Sequence, residues 1–230
     1  MTEPRLDTAT FRAVAHSLSR SDTAELLSLC VDPRDLENLS VPDSAAAREA
    51  EDLCREASSE SLANHCFRSF AWGVLLGAAD DYTYDSEALY VASMLHDLGL
   101  TPAFDRGGCF EDDSATAASE MLVRHGWDGA HVSLVVDAIQ LHMHDVTADD
   151  SSEAHLLAFG TSADVSGRRA LEIDASTRQA ILALYPRLDF KRHFSQLFVD
   201  QAARKPRCVV HRYVYELGLL ELIANAPYPE

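Results

Sequence analysis

Apolar residues recur at helical spacing along most of the chain. The clearest stripe, Leu62, Cys66, Phe70 and Val74, repeats every four residues, which is typical of the buried face of an α-helix. Valine, isoleucine and threonine nowhere alternate with polar residues over the length of a strand. The pattern therefore predicts an all-α protein.

Polar capping residues divide this pattern into separate helices. Ser44, Ser59 and Asp85 each precede an apolar or alanine-rich run, where their side chains can accept hydrogen bonds from the first free N–H groups of a helix. Gly99 stands where a glycine at a helix C-terminus is expected. The predicted helices cover 43–57, 59–79, 85–99, 114–125, 129–144, 152–165, 174–185, 189–202 and 207–224, with a loop over 101–113.

The chain also divides into two parts of unequal length. Amphipathic helical patterns over 7–30 are followed by a polar, proline-bounded stretch over 31–42, which predicts a linker. We therefore expect an N-terminal helical extension over 1–40 and a single helical domain over 41–225. With 230 residues in all, the second part is long enough to bury a sizeable core.

The charge balance excludes two classes of partner. The chain carries 19 Lys and Arg against 37 Asp and Glu, a net charge of −18, whereas nucleic acids and anionic membranes require a basic surface. No run of about 18 apolar residues occurs, so no membrane span is predicted. We expect a small-molecule substrate instead, and a homo-oligomeric state stays open.

The cysteines indicate a reducing compartment. Their number is odd, their spacings are wide and no Cys-x-x-Cys pair occurs among Cys30, Cys54, Cys66, Cys109 and Cys208. The N-terminal residues also lack the basic-then-apolar pattern of a secretory signal. We therefore expect reduced, mostly buried cysteines in a cytoplasmic protein.

Candidate chemistry centres on His96 and Asp97, which stand side by side within an apolar run at the end of a helical pattern. A carboxylate buried there needs a cation or hydrogen-bond donors. His65, His142 and Asp164 lie beside apolar or small residues on three other predicted helices. One divalent cation could satisfy such a group with nitrogen and oxygen ligands; hydrogen-bonded core residues are the alternative, and spacing alone leaves both interpretations open.

Other catalytic motifs are absent from the sequence. Gly107 and Gly108 form an isolated pair without the Lys-Ser/Thr of a phosphate-binding loop, and no Gly-x-Ser-x-Gly occurs. Trp72, Phe104 and Phe110 could line a pocket, although the same aromatic residues could equally fill a core. The metal site is therefore the leading hypothesis for function.

The order His65, His96-Asp97, Asp164 resembles the HD-domain superfamily of metal-dependent phosphohydrolases, in which these four positions bind metal. Further blocks are similar to the cyanamide-hydratase-like branch of that superfamily, and the resemblance covers about 41–217. The blocks are Val41-Pro42-Asp43, Asn64-His65-Cys66-Phe67-Arg68, Asp85 to Tyr90, His96 to Thr101, Phe110 to Ala115, Ala138 to His142 and Gly160 to Gly167.

The chain departs from that branch at several positions. Ser114 replaces a usual glycine, and His144 stands where a small residue is common. Relatives that are di-iron oxygenases carry an extra histidine after the HD helix, where this chain has Glu111 and Asp113. The resemblance therefore implies a site for a single metal ion.

The resemblance implies a single HD-domain helical bundle and a metal-dependent hydratase or hydrolase. One divalent ion, zinc with Fe²⁺ or Mn²⁺ as alternatives, would be bound by His65, His96, Asp97 and Asp164. Water activated by that ion would attack a small electrophile such as the nitrile of cyanamide, giving urea. The catalytic candidates are His142, Glu111 and Asp97, and the substrate-binding candidates are Trp72, Phe104, Phe110, Arg68 and Asn64.

Two alternatives use the same residues differently. An HD-type phosphohydrolase acting on a nucleotide or phosphomonoester would need cations near the phosphate, and Arg68 and Arg106 are the candidates. A non-catalytic metal- or ligand-binding module, regulated through residues 1–40, is the other alternative. Turnover of a nitrile or of a phosphoester would separate these three hypotheses.

Overall fold

Ten α-helices make up the fold of the described part of the chain. The computed structural model describes residues 39–229, and within that range it contains no strand, so the all-α prediction is confirmed. The helices are α1 Ala45–Ala57, α2 Glu60–Ala79, α3 Ser86–Leu95, α4 Phe110–Arg124, α5 Gly129–Leu141, α6 Ser152–Ser166, α7 Ala175–Leu184, α8 Phe190–Arg204, α9 Val209–Tyr215 and α10 Leu219–Asn225.

The predicted caps begin the first three helices. The Ser44 hydroxyl accepts a hydrogen bond at 3.0 Å from the backbone N–H three residues later, and the Ser59 hydroxyl accepts the corresponding bond at 3.3 Å. The Asp85 carboxylate accepts hydrogen bonds from the backbone N–H groups two and three residues later. These contacts satisfy N–H groups that have no partner within the helix. The sequence therefore predicts the starts of these three helices correctly.

The end of α3 differs from the prediction. The helix ends at Leu95, and a turn through His96 and Asp97 leads into the 3₁₀-helix Leu98–Leu100. Gly99 does not end a helix; a Cβ atom there would lie 2.1 Å from the carbonyl oxygen of Phe110. Close contact between two backbone segments, rather than a left-handed conformation, is therefore the reason for glycine.

Two later elements also differ from the sequence pattern. Helix α4 starts at Phe110, four residues before the predicted position, because three successive acidic residues form its first turn and favour the positive end of a helix dipole. The predicted helix over 207–224 is two helices, α9 and α10, separated at Gly218, which has a φ angle of +69°.

Helix α2 is the centre of the bundle and is buried along most of its length. It packs antiparallel against α6 at very short range. A Cβ atom at Gly73 would lie 2.6 Å from the carbonyl oxygen of Leu156, and one at Gly160 would lie 1.9 Å from that of Ser69. These glycines allow the two helix backbones to touch, which sets their register.

The cysteine expectation is wrong for one pair. Cys109 and Cys208 form a disulfide with a Cα–Cα distance of 5.3 Å, joining the residue before α4 to the residue before α9. Cys54 and Cys66 are reduced and buried, as expected. Wide spacing in sequence could not show that the bundle brings the first pair together.

Two sequence predictions fall on or beyond the edge of the described residues. The N-terminal helical extension over 1–40 lies outside them except for its last two residues, of which Leu39 is buried in the main hydrophobic core. The boundary with the domain over 41–225 therefore stays a prediction. None of the helices between residues 39 and 229 is long and apolar enough to cross a membrane.

Candidate metal centre

Three predicted ligands meet at one point inside the bundle. His65 comes from the middle of α2, while His96 and Asp97 come from the turn that follows α3. Each offers one ligand atom, and these atoms all lie within 4.8 Å of one another. All three side chains are buried, so the group forms a candidate metal site.

The ligand atoms face one another across very short gaps. The Nε2 atoms of His65 and His96 are 3.3 Å apart, and Oδ2 of Asp97 lies 3.6 Å from the first and 3.3 Å from the second. This carboxylate oxygen is buried without a hydrogen-bond partner among the described residues. Such an atom is costly to bury unless a cation or donor reaches it.

Hydrogen bonds at Nδ1 orient both imidazole rings, so that in the neutral form of each ring Nε2 carries a lone pair. Nδ1 of His65 lies 2.8 Å from a carboxylate oxygen of Asp164, and Nδ1 of His96 lies 2.8 Å from the carbonyl oxygen of Ser93. Because both partners only accept hydrogen bonds, the ring proton is assigned to Nδ1 in each case. Three lone pairs therefore converge, which fits a bound cation.

The local charges keep two of the ligand atoms unprotonated near neutral pH. Burial lowers the pKa of His65. Burial alone would raise the pKa of Asp97, but the adjacent His96 outweighs it and brings the pKa to about 2. For His96 itself, burial lowers the pKa while Asp97 raises it by more. Protonation of His96 would place a second proton on Nε2, so binding of a cation at the centre would compete with that protonation.

Asp164 lies on the other side of the His65 ring from His96. Its carboxylate accepts from Nε and Nη2 of Arg68, Nε1 of Trp72 and Nη1 of Arg187, in addition to His65. Burial alone would raise the pKa of Asp164, but Arg68 holds it well below the usual range. In this structure the carboxylate therefore orients His65, whereas the sequence predicts direct coordination.

His142 completes the wall beside the three ligands. It follows the last residue of α5, and its Nδ1 donates to the carbonyl of Ile139. Its Nε2 lies 4.0 Å from Oδ1 of Asp97. Burial lowers the pKa of His142 to about 3, so the ring is neutral and presents a lone pair that can accept a hydrogen bond.

A cavity of about 210 Å³ opens onto the ligands. This volume far exceeds the ~10–15 Å³ that holds one water molecule. Its walls come from the loop after α5 and from α6, α8, α9 and α10. The lining residues beyond the ligands and His142 are Met143, Thr161, Ser162, Val165, Ser166, Arg168, Phe194, Phe198, Tyr213, Leu219 and Leu222.

The structure places two predicted substrate-binding residues behind the ligands. Arg68 is fully buried, and its guanidinium donates two hydrogen bonds of 2.7 and 2.9 Å to the carboxylate of Asp164. The indole N–H of Trp72 donates to the same carboxylate at 3.1 Å. Neither side chain lines the cavity, because the buried Asp164 requires both of them as donors.

The other three predicted substrate-binding residues also lie away from the cavity lining. The Asn64 amide donates to the carbonyl of Pro186 at 2.9 Å. Phe104 is half-buried against the main core. Phe110 is fully buried, with its ring centroid 5.7 Å from that of His142, so it supports that imidazole from behind.

Glu111, a predicted catalytic residue, is buried in the first turn of α4 and does not line the cavity. Its Oε2 has no hydrogen-bond partner among the described residues. Burial raises the pKa of Glu111 to about 7. Its role in proton transfer stays a prediction, but its environment has a measurable consequence for stability.

Glu111→Gln is expected to stabilise the metal-free protein at pH 8 and to have little effect at pH 5. Glu111 has a higher pKa in the folded state than when unfolded, so the folded protein loses stability as pH rises from about 4.5 to about 7. At one pKa unit per 1.36 kcal/mol, the rise from 4.5 to about 7 makes the expected gain at pH 8 on the order of 3 kcal/mol. Urea denaturation at both pH values measures it.

Asp112→Asn is the matched control, since Asp112 lies in the same turn but is exposed. This substitution also removes one negative charge from the start of α4, but the side chain that it changes is not buried. Its effect should be small at both pH values. A Glu111→Gln gain that is equal at pH 5 and pH 8 would contradict the argument.

Several residues at the site were not found from the sequence. Phe190 stacks on the His65 ring with a centroid distance of 5.0 Å, and Phe194 lies 5.2 Å from it. These residues belong to an apolar stripe with a four-residue period, which indicates burial but names no partner. Arg187 follows α7 in a loop, and no periodicity marks it.

No protein-family description and no curated protein matches this chain. The resemblance to HD-domain proteins therefore rests on the motifs alone. The assignment of function depends on the geometry of the metal centre and its cavity.

Proposed function

We propose that the protein is a metal-dependent hydratase or hydrolase in which His65, His96 and Asp97 hold one divalent ion. The observation that carries the proposal is the convergence of three buried ligand atoms, of which Oδ2 of Asp97 has no hydrogen-bond partner among the described residues. Two imidazoles and one carboxylate suit zinc, with Fe²⁺ or Mn²⁺ as alternatives. Asp164 could supply a fourth ligand if its side chain turned away from Arg68.

Such an ion supplies Lewis acidity and lowers the pKa of a coordinated water toward neutrality. The chain supplies the rest. The neutral His142 presents Nε2 beside Asp97, where it can accept a hydrogen bond from the attacking water and orient it. The apolar walls of the cavity exclude bulk water, which strengthens the electrostatic interactions inside.

Hydroxyl groups of α6 add a row of hydrogen-bond acceptors. Thr161, Ser162 and Ser166 line the cavity, and each hydroxyl donates to a carbonyl in the preceding turn of its own helix. Their lone pairs are left for N–H donors of a substrate. An amino-substituted nitrile or an amide has such donors, which supports carbon–nitrogen chemistry over phosphate chemistry.

The phosphohydrolase alternative has less support. Arg68 is bound to Asp164, and Arg106 is exposed and paired with Glu120 at 2.7 Å. Neither lines the cavity. The two arginines that the sequence offered for this alternative are therefore engaged elsewhere, and the cation that does line the cavity, Arg168, is exposed.

The cytoplasmic location expected from the sequence stays a prediction. The Cys109–Cys208 disulfide weighs against it, because structural disulfides are rare in reducing compartments. Labelling of free thiols in protein taken directly from cells, with and without a reducing agent, decides which state the pair adopts there.

Elemental analysis of the full chain, purified without added metal, tests the proposed function. We expect about one zinc per chain, and we expect the zinc-loaded protein to hydrate nitriles or hydrolyse small amides. A phosphoester as the preferred substrate would favour the phosphohydrolase. A chain that binds no divalent ion even after titration would overturn the proposal.

A further inference from the structure

Arg168 is a cation at the edge of the cavity. It follows Gly167, whose φ angle of +77° ends α6 and turns the chain outward. Arg168 lines the cavity yet is exposed. It forms no ion pair with any of the described residues, whereas its neighbour Arg169 binds both Asp80 and Glu172.

The absence of a partner is notable in so acidic a chain. With 37 Asp and Glu against 19 Lys and Arg, an exposed arginine has many acids available. Most other arginines of the described range do pair with carboxylates. Among the described residues that line the cavity, Arg168 is also the one permanently charged cation.

Apolar side chains line the same cavity as this arginine and the ligands. Val165, Phe194, Phe198, Leu219 and Leu222 all line the cavity. The cavity therefore combines metal-binding groups, apolar side chains and one exposed cation in its walls. A molecule as small as cyanamide could not contact all of these groups at once.

We propose that the substrate is an amphiphile: a reactive nitrile or amide carbon, an apolar body, and a terminal carboxylate or phosphate that Arg168 binds. This inference rests on the proposed function and adds the substrate class to it. A guanidinium presents donors that match the two oxygens of such an anion. The apolar body packs against the apolar side chains of the cavity and gains from burial.

Binding of two synthetic probes tests the proposal. Both carry a hydroxamate, which ligates zinc, on a benzene ring; one ends in a carboxymethyl group and the other in the matching carboxamide. Isothermal titration calorimetry uses the full chain with zinc and without it. We expect the zinc-loaded protein to bind the carboxylate probe about fivefold more tightly, the effect of a partly solvent-exposed charge pair.

The Arg168→Met variant keeps much of the apolar stem and removes the charge. This variant should bind the carboxylate and carboxamide probes with about equal affinity, while Arg168→Lys should retain part of the preference for the carboxylate. Arg207→Met is the matched control, since Arg207 is exposed and does not line the cavity. That variant should keep the full preference. A third probe ending in a phosphonate shows which anion is preferred.

The outcomes separate this proposal from the proposed function. If both probes bind only with zinc but with equal affinity, the metal site stands and the role of Arg168 is overturned. An unchanged preference in Arg168→Met overturns that role as well. If neither probe binds more tightly with zinc than without it, both proposals fail.

Discussion

Replacing His96 with alanine is expected to remove the bound metal and to lower turnover by about 10³-fold or more. His96 contributes one of the three converging ligand atoms and also fixes the position of Asp97 beside it. With two ligands left, the affinity for zinc should fall steeply. A bound ion contributes several kcal/mol to such reactions, and each 1.36 kcal/mol is a tenfold change in rate.

Zinc content, turnover and thermal melting should be measured on the same preparations of His96→Ala. His144→Ala is the control, since His144 is an exposed histidine two residues beyond His142; it should retain both zinc and activity. Melting shows whether the variant is folded. A folded His96→Ala protein that keeps its activity without zinc would rule out the mechanism.

Gly160→Ala is expected to be the most damaging substitution of a single methyl group in the bundle. A Cβ atom at this position would lie 1.9 Å from the carbonyl oxygen of Ser69 and 3.0 Å from the backbone nitrogen of Gly73. Backbone atoms cannot rotate aside, so α2 and α6 would have to separate. We expect a loss of about 3 kcal/mol or more, which lowers Tm by roughly 6–12 °C.

The same separation should weaken metal binding, because it moves Asp164 away from the His65 ring that it orients. Gly129→Ala is the matched control: Gly129 begins α5, and nothing lies within 4 Å of a Cβ atom there. It should change Tm little and leave zinc affinity intact. Equal melting temperatures for the two variants would contradict the helix contact described above.

The register of α2 against α6 explains how distant residues form one site. Gly160 lies against Ser69. One turn later in α6 and one turn earlier in the antiparallel α2, Asp164 lies against His65. The sequence places each acid and histidine on an inward helical face, because a period of 3.6 residues determines faces. It does not determine which two helices touch, since that depends on complementary backbone surfaces.

The predicted substrate-binding residues show the same limit. Arg68, Trp72 and Asn64 lie on α2 close to His65, and the resemblance to HD-domain proteins implied that they bind substrate. A helix presents residues on all sides, however, and these three turn toward Asp164 and the backbone of Pro186. The cavity is instead lined by α6 and by helices that lie after Asp189 in the chain.

The sequence by itself determined the helical class, the first helix starts and the inward position of His65, His96, Asp97 and His142. Local physics decides these features: caps satisfy free N–H groups, and apolar periodicity selects a buried face. Only the tertiary structure decided that Asp164 orients His65, that Cys109 reaches Cys208, and that Arg168 lines the cavity. These contacts join residues far apart in sequence, and they depend on how backbones approach at glycines such as Gly160.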